Sequence, residues 1–421
     1  MEKLGVGIIG SQFVATIHAE SFGRQIPNAE LVACASPTEE HVREFAGRHG
    51  IPKWFTDYRE MLELPEVDMV VLCLPNYLHC QACCDAARAR KHVVCEKPLC
   101  RTMAEADLMI ETCRAEGVKL MYAEELCFTP KYVRAKQLCD SGAIGGLFRL
   151  KQCEKHDGPH MPWFWDVELS GGGVTLDMGC HAFEYFRWML GKPAAVSVYA
   201  DMGTFVHQDK TRGDDNSIII VEFAGGARGV AEESWAKLGG MDDRIELYGS
   251  EGVIAADLLR GSAFPTYSKR GYGYAVEKAG STVGWSFTMY EEMWNYGFPQ
   301  EMQHFADCVL NDKQPLETGE DGKAVLEIIF AAYESARTGC KVTLPFTPPC
   351  APPGARGKRP TELWLRSRPR PASRSSGRPG ATQSVLERTA SRMGQRTQPR
   401  RGAKASHQGR FGPLSVCAVG R

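Results

Sequence analysis

Residues 6–15 read Val-Gly-Ile-Ile-Gly-Ser-Gln-Phe-Val-Ala, which is an apolar strand, a glycine turn and the start of a helix. The N–H groups at such a helix N-terminus can bind the pyrophosphate of a dinucleotide. Compared with the dinucleotide-binding pattern G-x-G-x-x-G/A, the sequence retains Gly10 and Ala15 at the first and last positions, whereas Gln12 replaces the second glycine. We therefore predict a cofactor site formed by Gly10, Gln12 and Phe13, with the Gln12 amide as a further donor.

Short apolar strands alternate with helical segments through the first 124 residues. The predicted strands are 5–9, 31–35, 69–74, 93–96 and 119–123. Nearly continuous apolar strands separated by helices are typical of a parallel, doubly wound sheet that is covered on both faces. Residues 1–124 are therefore predicted to form an α/β domain that binds NAD or NADP.

The pattern changes after residue 124, where the strands begin to alternate in polarity. The predicted strands are 147–154, 195–199, 217–223, 227–235 and 243–248, and the predicted helices are 130–140, 179–190, 300–310 and 322–338. We predict an α+β domain over residues 125–346 that binds substrate and holds an open, mostly antiparallel sheet. Helices cover one sheet face, and the other is free to pack against a second subunit.

From Thr347 onward the chain is rich in Pro, Arg, Ser and Gly, with sixteen basic residues against two acidic ones. Such a composition predicts a disordered basic tail over 347–421. Binding of nucleic acid or an acidic partner by this tail is the alternative to an extension without a catalytic role. The preceding residues carry 34 basic and 49 acidic groups, which argues against a nucleic-acid surface on the folded part.

The cysteines and the apolar runs bear on metal binding and location. Most of the sixteen cysteines lie in apolar patterns and Cys80-x₂-Cys83 has no companion motif, so no metal site is predicted. The longest apolar run, 69–74, is too short to span a bilayer, so no membrane association is expected. Residues 1–4 run directly into the first strand and leave no room for a signal peptide, which favours a cytoplasmic location.

Two further strand ends supply candidate cofactor residues. Ser36 follows the second strand, where an acidic residue usually binds the adenosine ribose of NAD. A serine does not repel a 2′-phosphate, so both NAD and NADP remain open, with NADP slightly favoured. Leu74, Asn76 and His79 lie in the loop after the third strand and are predicted to contact the cofactor. The alternative for Asn76 is a helix cap.

Glu96-Lys97-Pro98 follows a buried strand, and Asp177 and His181 lie four residues apart, a spacing that places them on one face of a helix. A lysine, a carboxylate and a histidine can remove the proton of an alcohol while a hydride leaves. We predict Lys97, Asp177 and His181 to be catalytic, with Glu96 and Lys97 beside the cofactor. The alternatives are a solvated lysine and an Asp–His pair on a helix surface.

In this hypothesis each catalytic residue has a separate role. His181 accepts the hydroxyl proton, because its ordinary pKa of about 6.5 suits neutral pH. Asp177 holds the imidazole in the required tautomer. Lys97 stabilises the developing alkoxide, and Pro98 keeps Lys97 away from helical dihedral angles.

The loop 155–165 is the predicted substrate wall, together with Lys97, Asp177 and His181. Lys155 and His156 offer hydrogen bonds to hydroxyl groups, and Trp163 and Trp165 can cover the C–H face of a sugar. Equally, the two tryptophans can serve as core anchors. Residues 267–294, which are rich in Gly and Tyr, either line the same cleft or lie at a subunit contact.

Together these residues resemble the glucose–fructose oxidoreductase / inositol 2-dehydrogenase (Gfo/Idh/MocA) family. The resemblance covers about residues 4–346 and rests on GIIGSQFVA, LPNYLH, CEKPL, SGAIG, GGGVTLDMGCH and the closing helices from His304 to Gly339. It implies an N-terminal Rossmann domain, an open-sheet domain that builds dimers or tetramers, and NAD(P)-dependent chemistry at a sugar, glycoside or cyclitol hydroxyl.

Within the resemblance, Lys97, Asp177 and His181 match the family's catalytic lysine, aspartate and histidine. Gln12 and Ser36 depart from its pattern and affect the choice of cofactor. Glu184 stands where the family often has an aspartate. Two other functions stay open: a reductase of a non-sugar substrate, such as a tetrapyrrole or a diol, and a non-catalytic nucleotide-binding regulator. Retention of the three catalytic residues argues against the regulator.

Overall fold

The structure, a computed structural model, describes residues 3–259, 263–270, 281, 283–289 and 292–347. The predicted basic tail lies outside the described residues except for Thr347. Part of the segment 267–294, including all of 271–280, also lies outside them.

Strands and helices alternate through the first third of the chain. The first strands are β1 (Leu4–Ile9), β2 (Ala29–Ala35), β3 (Lys53–Phe55), β4 (Met69–Leu72), β5 (His92–Glu96) and β6 (Leu120–Ala123). The helices between them are α1 (Phe13–Gln25), α2 (Glu39–His49), α3 (Tyr58–Leu62), α4 (Asn76–Arg88) and α5 (Met103–Glu116).

The later part of the chain is richer in strands. They are β7 (Leu147–Lys155), β8 (Ala195–Gly203), β9 (Asn216–Phe223), β10 (Arg228–Ser234), β11 (Asp242–Gly249), β12 (Gly252–Asp257), β13 (Ala263–Ser268), β14 (Gly284–Met289) and β15 (Val342–Thr343). The helices are α6 (Pro130–Asp140), α7 (Val167–Ser170), α8 (Val174–Asp177), α9 (Gly179–Leu190), α10 (Glu292–Tyr296), α11 (Phe298–Leu310) and α12 (Gly319–Thr338). Short 3₁₀ helices span Glu125–Cys127 and Pro162–Trp165.

The N-terminal sheet has the order β3-β2-β1-β4-β5-β6, and all of its strand pairs are parallel. This confirms the predicted doubly wound sheet and adds the edge strand β3, which is too short to give a periodic signal. The strand order reverses between β1 and β4. In such sheets ligands bind in the crevice at the carboxyl ends of the strands where the order reverses.

The second sheet has the order β12-β11-β7-β10-β9-β8-β15 and is mostly antiparallel, with β7 and β10 parallel. This confirms the predicted open sheet. Strand β9 shows why the polarity alternates: Ile219 and Val221 are fully buried, whereas Ile218 and Ile220 are exposed on the opposite face. Helices α9 and α12 pack on the buried face.

Helix α12 connects the two sheets, because it packs on β8 of the second sheet and on α5 and β6 of the first domain. Gly322 permits this approach, since a Cβ there would lie 2.9 Å from the Cβ of Leu99. A hydrogen bond also links the first domain to α11: Asn28 donates from Nδ2 to Oδ1 of Asp307 at 2.7 Å. Among the described residues, none of the helices has the length and apolar character needed to cross a membrane.

Candidate active site

A cavity of about 260 Å³ lies at the carboxyl edge of the N-terminal sheet and is closed by residues that follow this sheet in the chain, from Glu125 to Phe298. Many of the predicted site residues line it: Gln12, Phe13, Leu74, Asn76, Glu96, Lys97, His156, Trp163, Asp177 and His181. The remaining predicted residues, Gly10, Ser36, His79, Lys155 and Trp165, are not part of this wall.

The turn after β1 leaves the N-terminus of α1 open towards the cavity. Gly10 has a φ of 126°, and a Cβ there would lie 2.1 Å from the carbonyl oxygen of Cys73, so this position requires glycine. Gln12 precedes the helix without capping it through its side chain. Gln12 and Phe13 both line the cavity. The turn therefore fits a pyrophosphate, which helix N–H groups bind.

Ser36 lies next to this turn, at the end of β2. The hydroxyl groups of Ser11 and Ser36 are hydrogen-bonded at 2.9 Å. Ser36 therefore connects the strand end with the glycine turn, and an uncharged hydroxyl occupies the position where an acidic side chain would favour NAD.

The predicted site residues in the loop after β4 have two different roles. Asn76 donates from Nδ2 to the carbonyl oxygen of Ser170 at 2.7 Å, which ties this loop to the end of α7. His79 is fully buried behind the wall, with Nε2 at 2.8 Å from the Leu74 oxygen and Nδ1 at 3.1 Å from the Pro98 oxygen. The predicted cofactor contact of His79 is thus corrected, because both ring nitrogens lie against backbone carbonyls.

Lys97 and Asp177 form an ion pair on the cavity wall. Lys97 donates from Nζ to the backbone oxygen of Asp177 at 3.1 Å and to its Oδ1 at 3.3 Å. The other carboxylate oxygen, Oδ2, accepts from Nε1 of Trp235 at 3.1 Å. Burial lowers the pKa of Lys97, but the charge of Asp177, together with smaller contributions from neighbouring groups such as Glu125 and Glu154, outweighs burial and holds this pKa well above its usual value. The lysine is therefore an ammonium group whose position Asp177 fixes.

His181 is held by a different carboxylate from the one expected. Its Nδ1 lies 2.7 Å from Oε1 of Glu124 and 3.8 Å from Oε2 of Glu125. The expectation that Asp177 orients this nitrogen is wrong. The helical face assumed for the pair is interrupted, because α8 ends at Asp177 and α9 begins at Gly179.

The imidazole of His181 is nevertheless suited to accept a proton. Burial is the largest influence on it and lowers its pKa below the usual value. No described residue bonds its Nε2, and the side chain lines the cavity. The neutral form, with Nε2 turned to a ligand, is therefore available near neutral pH.

Glu96 has a buried partner that the sequence did not reveal. Nε2 of His18, on α1, lies 2.6 Å from Oε1 of Glu96, and both side chains are buried. Burial raises the pKa of Glu96, but the contact with His18, together with the charge of Lys97 and a smaller contribution from His79, outweighs burial and lowers this pKa overall. The pair joins the helix of the glycine turn to the strand that carries Lys97.

Two buried glutamates, Glu125 and Glu154, also line the cavity and were missed in the sequence. Burial raises the pKa of Glu125 to about 7 and that of Glu154 well above its usual value. A signal existed for Glu124 and Glu125, since both follow β6 directly and ligand sites collect at carboxyl ends of parallel strands. Glu154 was missed because the sequence of β7 predicts a half-exposed strand.

Strand alternation determines which side chains at the start of the loop 155–165 face the cavity. Glu154 faces the cavity, so Lys155 points to the opposite face, where Nζ donates to Oε2 of Glu232 at 2.7 Å. The predicted substrate contact of Lys155 is therefore corrected. Trp163 lines the cavity, whereas Trp165 packs against Trp235 with ring centroids 5.3 Å apart and is a core anchor.

Glu184 lies outside the cavity wall and is fully buried. Its carboxylate pairs with Arg187 and lies 3.3 Å from Nζ of Lys192. It comes close to Glu317 and Asp321 in a geometry that could hold a metal ion, but Arg187 and Lys192 already form ion pairs with the carboxylates of this cluster. The residue has a structural role.

Of the segment 267–294, the described part contains an exposed aromatic pair. Tyr267 and Trp285 contact each other on β13 and β14 with ring centroids 5.4 Å apart. Both side chains are largely exposed, and neither lines the cavity.

Comparisons with known proteins agree with this arrangement. Residues 4–124 match the oxidoreductase family with an NAD-binding Rossmann fold, and residues 132–255 match the GFO/IDH/MocA C-terminal domain. The chain is 31% identical to Myo-inositol 2-dehydrogenase of Thermotoga maritima over 332 residues, or 78% of this chain and 95% of that protein. It is 29% identical to scyllo-inositol 2-dehydrogenase (NAD(+)) of Bacillus subtilis over 344 residues, or 81% and 95%.

A solved structure is similar over the same region. The crystal structure of GenD2 from gentamicin A biosynthesis, in complex with NAD, matches with a TM-score of 0.77 and 31% sequence identity. The match covers 82% of this chain and 97% of GenD2. The likeness therefore extends over most of this chain and nearly all of GenD2.

Proposed function

Since this chain belongs to the GFO/IDH/MocA family of oxidoreductases with an NAD-binding Rossmann domain, we propose that it oxidises or reduces a sugar, glycoside or cyclitol at a hydroxyl-bearing carbon. The observation that carries the proposal is the convergence of the Lys97 ammonium and the His181 imidazole on one cavity beside the open N-terminus of α1. Two relatives named inositol 2-dehydrogenases support this class of substrate.

The residues at the carboxyl edge of the first sheet fit a nicotinamide dinucleotide. Gly10, Gln12 and Phe13 would hold the pyrophosphate, because the turn has no room for a Cβ and leaves helix N–H groups open. Ser36 would meet the adenosine ribose, and its lack of charge is compatible with both NAD and NADP. Leu74, Asn76, Glu96 and Lys97 would contact the rest of the cofactor.

When bound, the nicotinamide ring takes up a hydride in oxidation and returns it in reduction. The proton of the reacting hydroxyl is transferred by residues of this chain. We assign its acceptance to Nε2 of His181, which lines the cavity while Nδ1 is held by Glu124. In reduction the same nitrogen donates the proton back.

Glu124 takes the positioning role first expected of Asp177. It is completely buried, and its contact with Nδ1 fixes the ring and sets which nitrogen faces the substrate. Burial raises the pKa of Glu124 well above its usual value. The carboxyl group can therefore take the Nδ1 proton when Nε2 receives one, which moves a proton through the imidazole without leaving a buried ion pair.

Lys97 stabilises negative charge on the substrate oxygen. A partly buried ammonium beside a developing alkoxide stabilises the negative charge more strongly than it would in water. Asp177 holds this ammonium from one side and is itself anchored by Trp235. We assign Asp177 to the positioning of Lys97, and substrate contacts to His156 and Trp163 on the cavity wall.

We further infer a homodimer or homotetramer, located in the cytoplasm, with the open sheet face at the subunit contact. That face exposes apolar side chains from several strands: Tyr199, Ile218, Ile220 and Val253. An apolar surface spread over neighbouring strands favours association with another subunit. Among the described residues, helices α9 and α12 pack on the opposite face.

Dehydrogenase activity should be measured with NAD⁺ and NADP⁺ across inositols, aldoses and glycosides, with cofactor binding measured separately by fluorescence. We expect turnover of at least one polyhydroxylated compound. Cofactor binding without turnover of any compound would overturn the proposal and favour a nucleotide-binding regulator. Turnover confined to tetrapyrroles or simple diols would instead identify a non-sugar enzyme.

A further inference from the structure

The cofactor and the catalytic lysine are held by different parts of the first domain. The cofactor pyrophosphate would bind at the N-terminus of α1, whereas Lys97 directly follows β5. Helix α1 packs on β1, β2 and α11, and β5 is separated from β1 by β4 in the sheet order. The distance between the cofactor and the Lys97 ammonium therefore depends on what joins α1 to the end of β5.

His18 on α1 provides such a connection. Its side chain is completely buried, and its Nε2 lies 2.6 Å from Oε1 of Glu96, the last residue of β5. Because the pKa of Glu96 is lowered, this carboxylate is ionised near neutral pH and can only accept, so Nε2 of His18 carries the proton and donates it. A hydrogen bond to a charged group is stronger than one between neutral groups.

The connection extends from Glu96 to Lys97. The second carboxylate oxygen of Glu96, Oε2, accepts a hydrogen bond from the backbone N–H of Lys97 at 3.1 Å. At the other end of this lysine, Nζ donates to Asp177. Lys97 is thus held at its backbone by Glu96 and at its ammonium by Asp177, and His18 joins the backbone end to the helix that would bind the cofactor.

The surroundings of the His18 ring indicate a specific contact rather than a general core position. Nδ1 is buried and has no hydrogen-bond partner among the described residues, so the bond to Glu96 is the only hydrogen bond of the ring there. The ring also packs edge-on against Phe298, with centroids 5.8 Å apart. An apolar side chain would fill this space without leaving a buried nitrogen unpaired, which is destabilising. The polar ring therefore serves the bond to Glu96.

We propose that His18 is a positioning residue: through Glu96 it fixes the main chain of Lys97 relative to α1, and so keeps the ammonium at the distance from the bound cofactor that hydride transfer requires. The inference rests on the proposed function and adds a residue to its machinery. His18 does not line the cavity, so it acts through Glu96. A displacement of about 1 Å at a reacting group can lower a rate by about a hundredfold.

The test measures kcat, KM and cofactor binding of the full-length protein with its best polyol. His18→Leu removes the donor and should lower kcat by about tenfold or more, while KM for the polyol and the cofactor dissociation constant change by less than about threefold. His18→Gln keeps an N–H donor of similar reach and should hold kcat within about threefold of wild type. If His18→Leu does not fold, His18→Phe replaces it, because phenylalanine lacks the donor but keeps a ring against Phe298.

A double-mutant cycle separates positioning from packing. In the Lys97→Ala protein, adding His18→Leu should change kcat by less than about twofold, because the lysine that His18 positions is gone. A purely structural residue would lower kcat by the same factor in both backgrounds. Ser21→Ala is the matched control: Ser21 is buried on the same helix and donates to the Ile17 carbonyl oxygen at 2.9 Å, so its kcat should stay near wild type.

A kcat of His18→Leu near wild type would overturn the inference, as would an equally low kcat in His18→Gln or an undiminished loss in the Lys97→Ala background. Each of these results would leave the proposed function intact, because wild-type turnover is measured alongside. No turnover of any polyol by the wild type, with cofactor binding retained, would overturn the proposed function and the inference with it.

Discussion

Nδ1 of His181 lies 2.7 Å from Oε1 of Glu124, a residue 57 positions earlier in the chain. This contact joins the end of the N-terminal sheet to the first turn of α9, the helix that packs on the second sheet. The geometry of the catalytic base therefore depends on how the two halves pack. Glu124, rather than Asp177, is the carboxylate that holds Nδ1.

Replacing Glu124 with glutamine should slow catalysis without removing substrate binding. An amide keeps the size of the side chain but cannot share a proton with Nδ1, so kcat should fall by about tenfold to a hundredfold while KM changes little. Without a group that can take the Nδ1 proton, protonation of Nε2 leaves a buried imidazolium, which is disfavoured, so the acidic limb of the kcat/KM profile should move to lower pH. An unchanged pH profile would contradict the positioning role, even if the rate falls.

Lys97→Ala and His181→Ala should each lower kcat by about a hundredfold or more, because the first removes the charge at the alkoxide and the second removes the base. Steady-state rates with the best polyol, together with cofactor titrations, would measure this. Lys155→Ala is the matched control, since this lysine is bonded to Glu232 away from the cavity, and its rate should stay near wild type. Comparable rates in all three variants would remove the proposed roles.

The pH dependence of oxidation should reflect the burial of His181. The imidazole acts as a base only when neutral, and burial lowers its pKa below the usual value of about 6.5. The oxidation rate should therefore persist below pH 6.5 and fall only as the pH drops through the lowered value. A kcat/KM profile whose acidic limb has its midpoint above 6.5 would contradict this assignment.

Ser36→Asp should change the choice of cofactor. A carboxylate at the end of β2 can accept the ribose hydroxyls of NAD and repels the 2′-phosphate of NADP. We expect kcat/KM for NADP⁺ to fall by at least about tenfold, with NAD⁺ affected less. Side-by-side kinetics with both cofactors measure the ratio, and an equal change for the two would exclude Ser36 from the ribose site.

Ile218→Asp should weaken self-association. Ile218 is 56% exposed on the open face of the second sheet, and a charge at a buried apolar contact between subunits is costly. Light scattering after size-exclusion chromatography should show a smaller particle, with association weakened by at least about tenfold. Leu238→Asp is the control, because this leucine is even more exposed but lies outside the sheet, between β10 and β11. Equal effects of the two substitutions would place the contact elsewhere.

Several features of the protein could be read from the sequence alone, because their signals are local. An apolar run that ends in a glycine turn specifies β1 and the N-terminus of α1, and a lysine directly after the apolar run of β5 lies at the ligand edge of any parallel sheet. Alternating polarity likewise predicted the open sheet, as the burial of Ile219 and exposure of Ile218 on β9 show.

The tertiary structure alone decided which side chains meet. The interruption at Met178 separates Asp177 from the helix of His181, so that Asp177 reaches Lys97 while Glu124 reaches the imidazole. The pleat of β7 turned Glu154 towards the cavity and Lys155 away from it. Such pairings depend on long-range packing and on one residue of register, which composition and spacing do not specify.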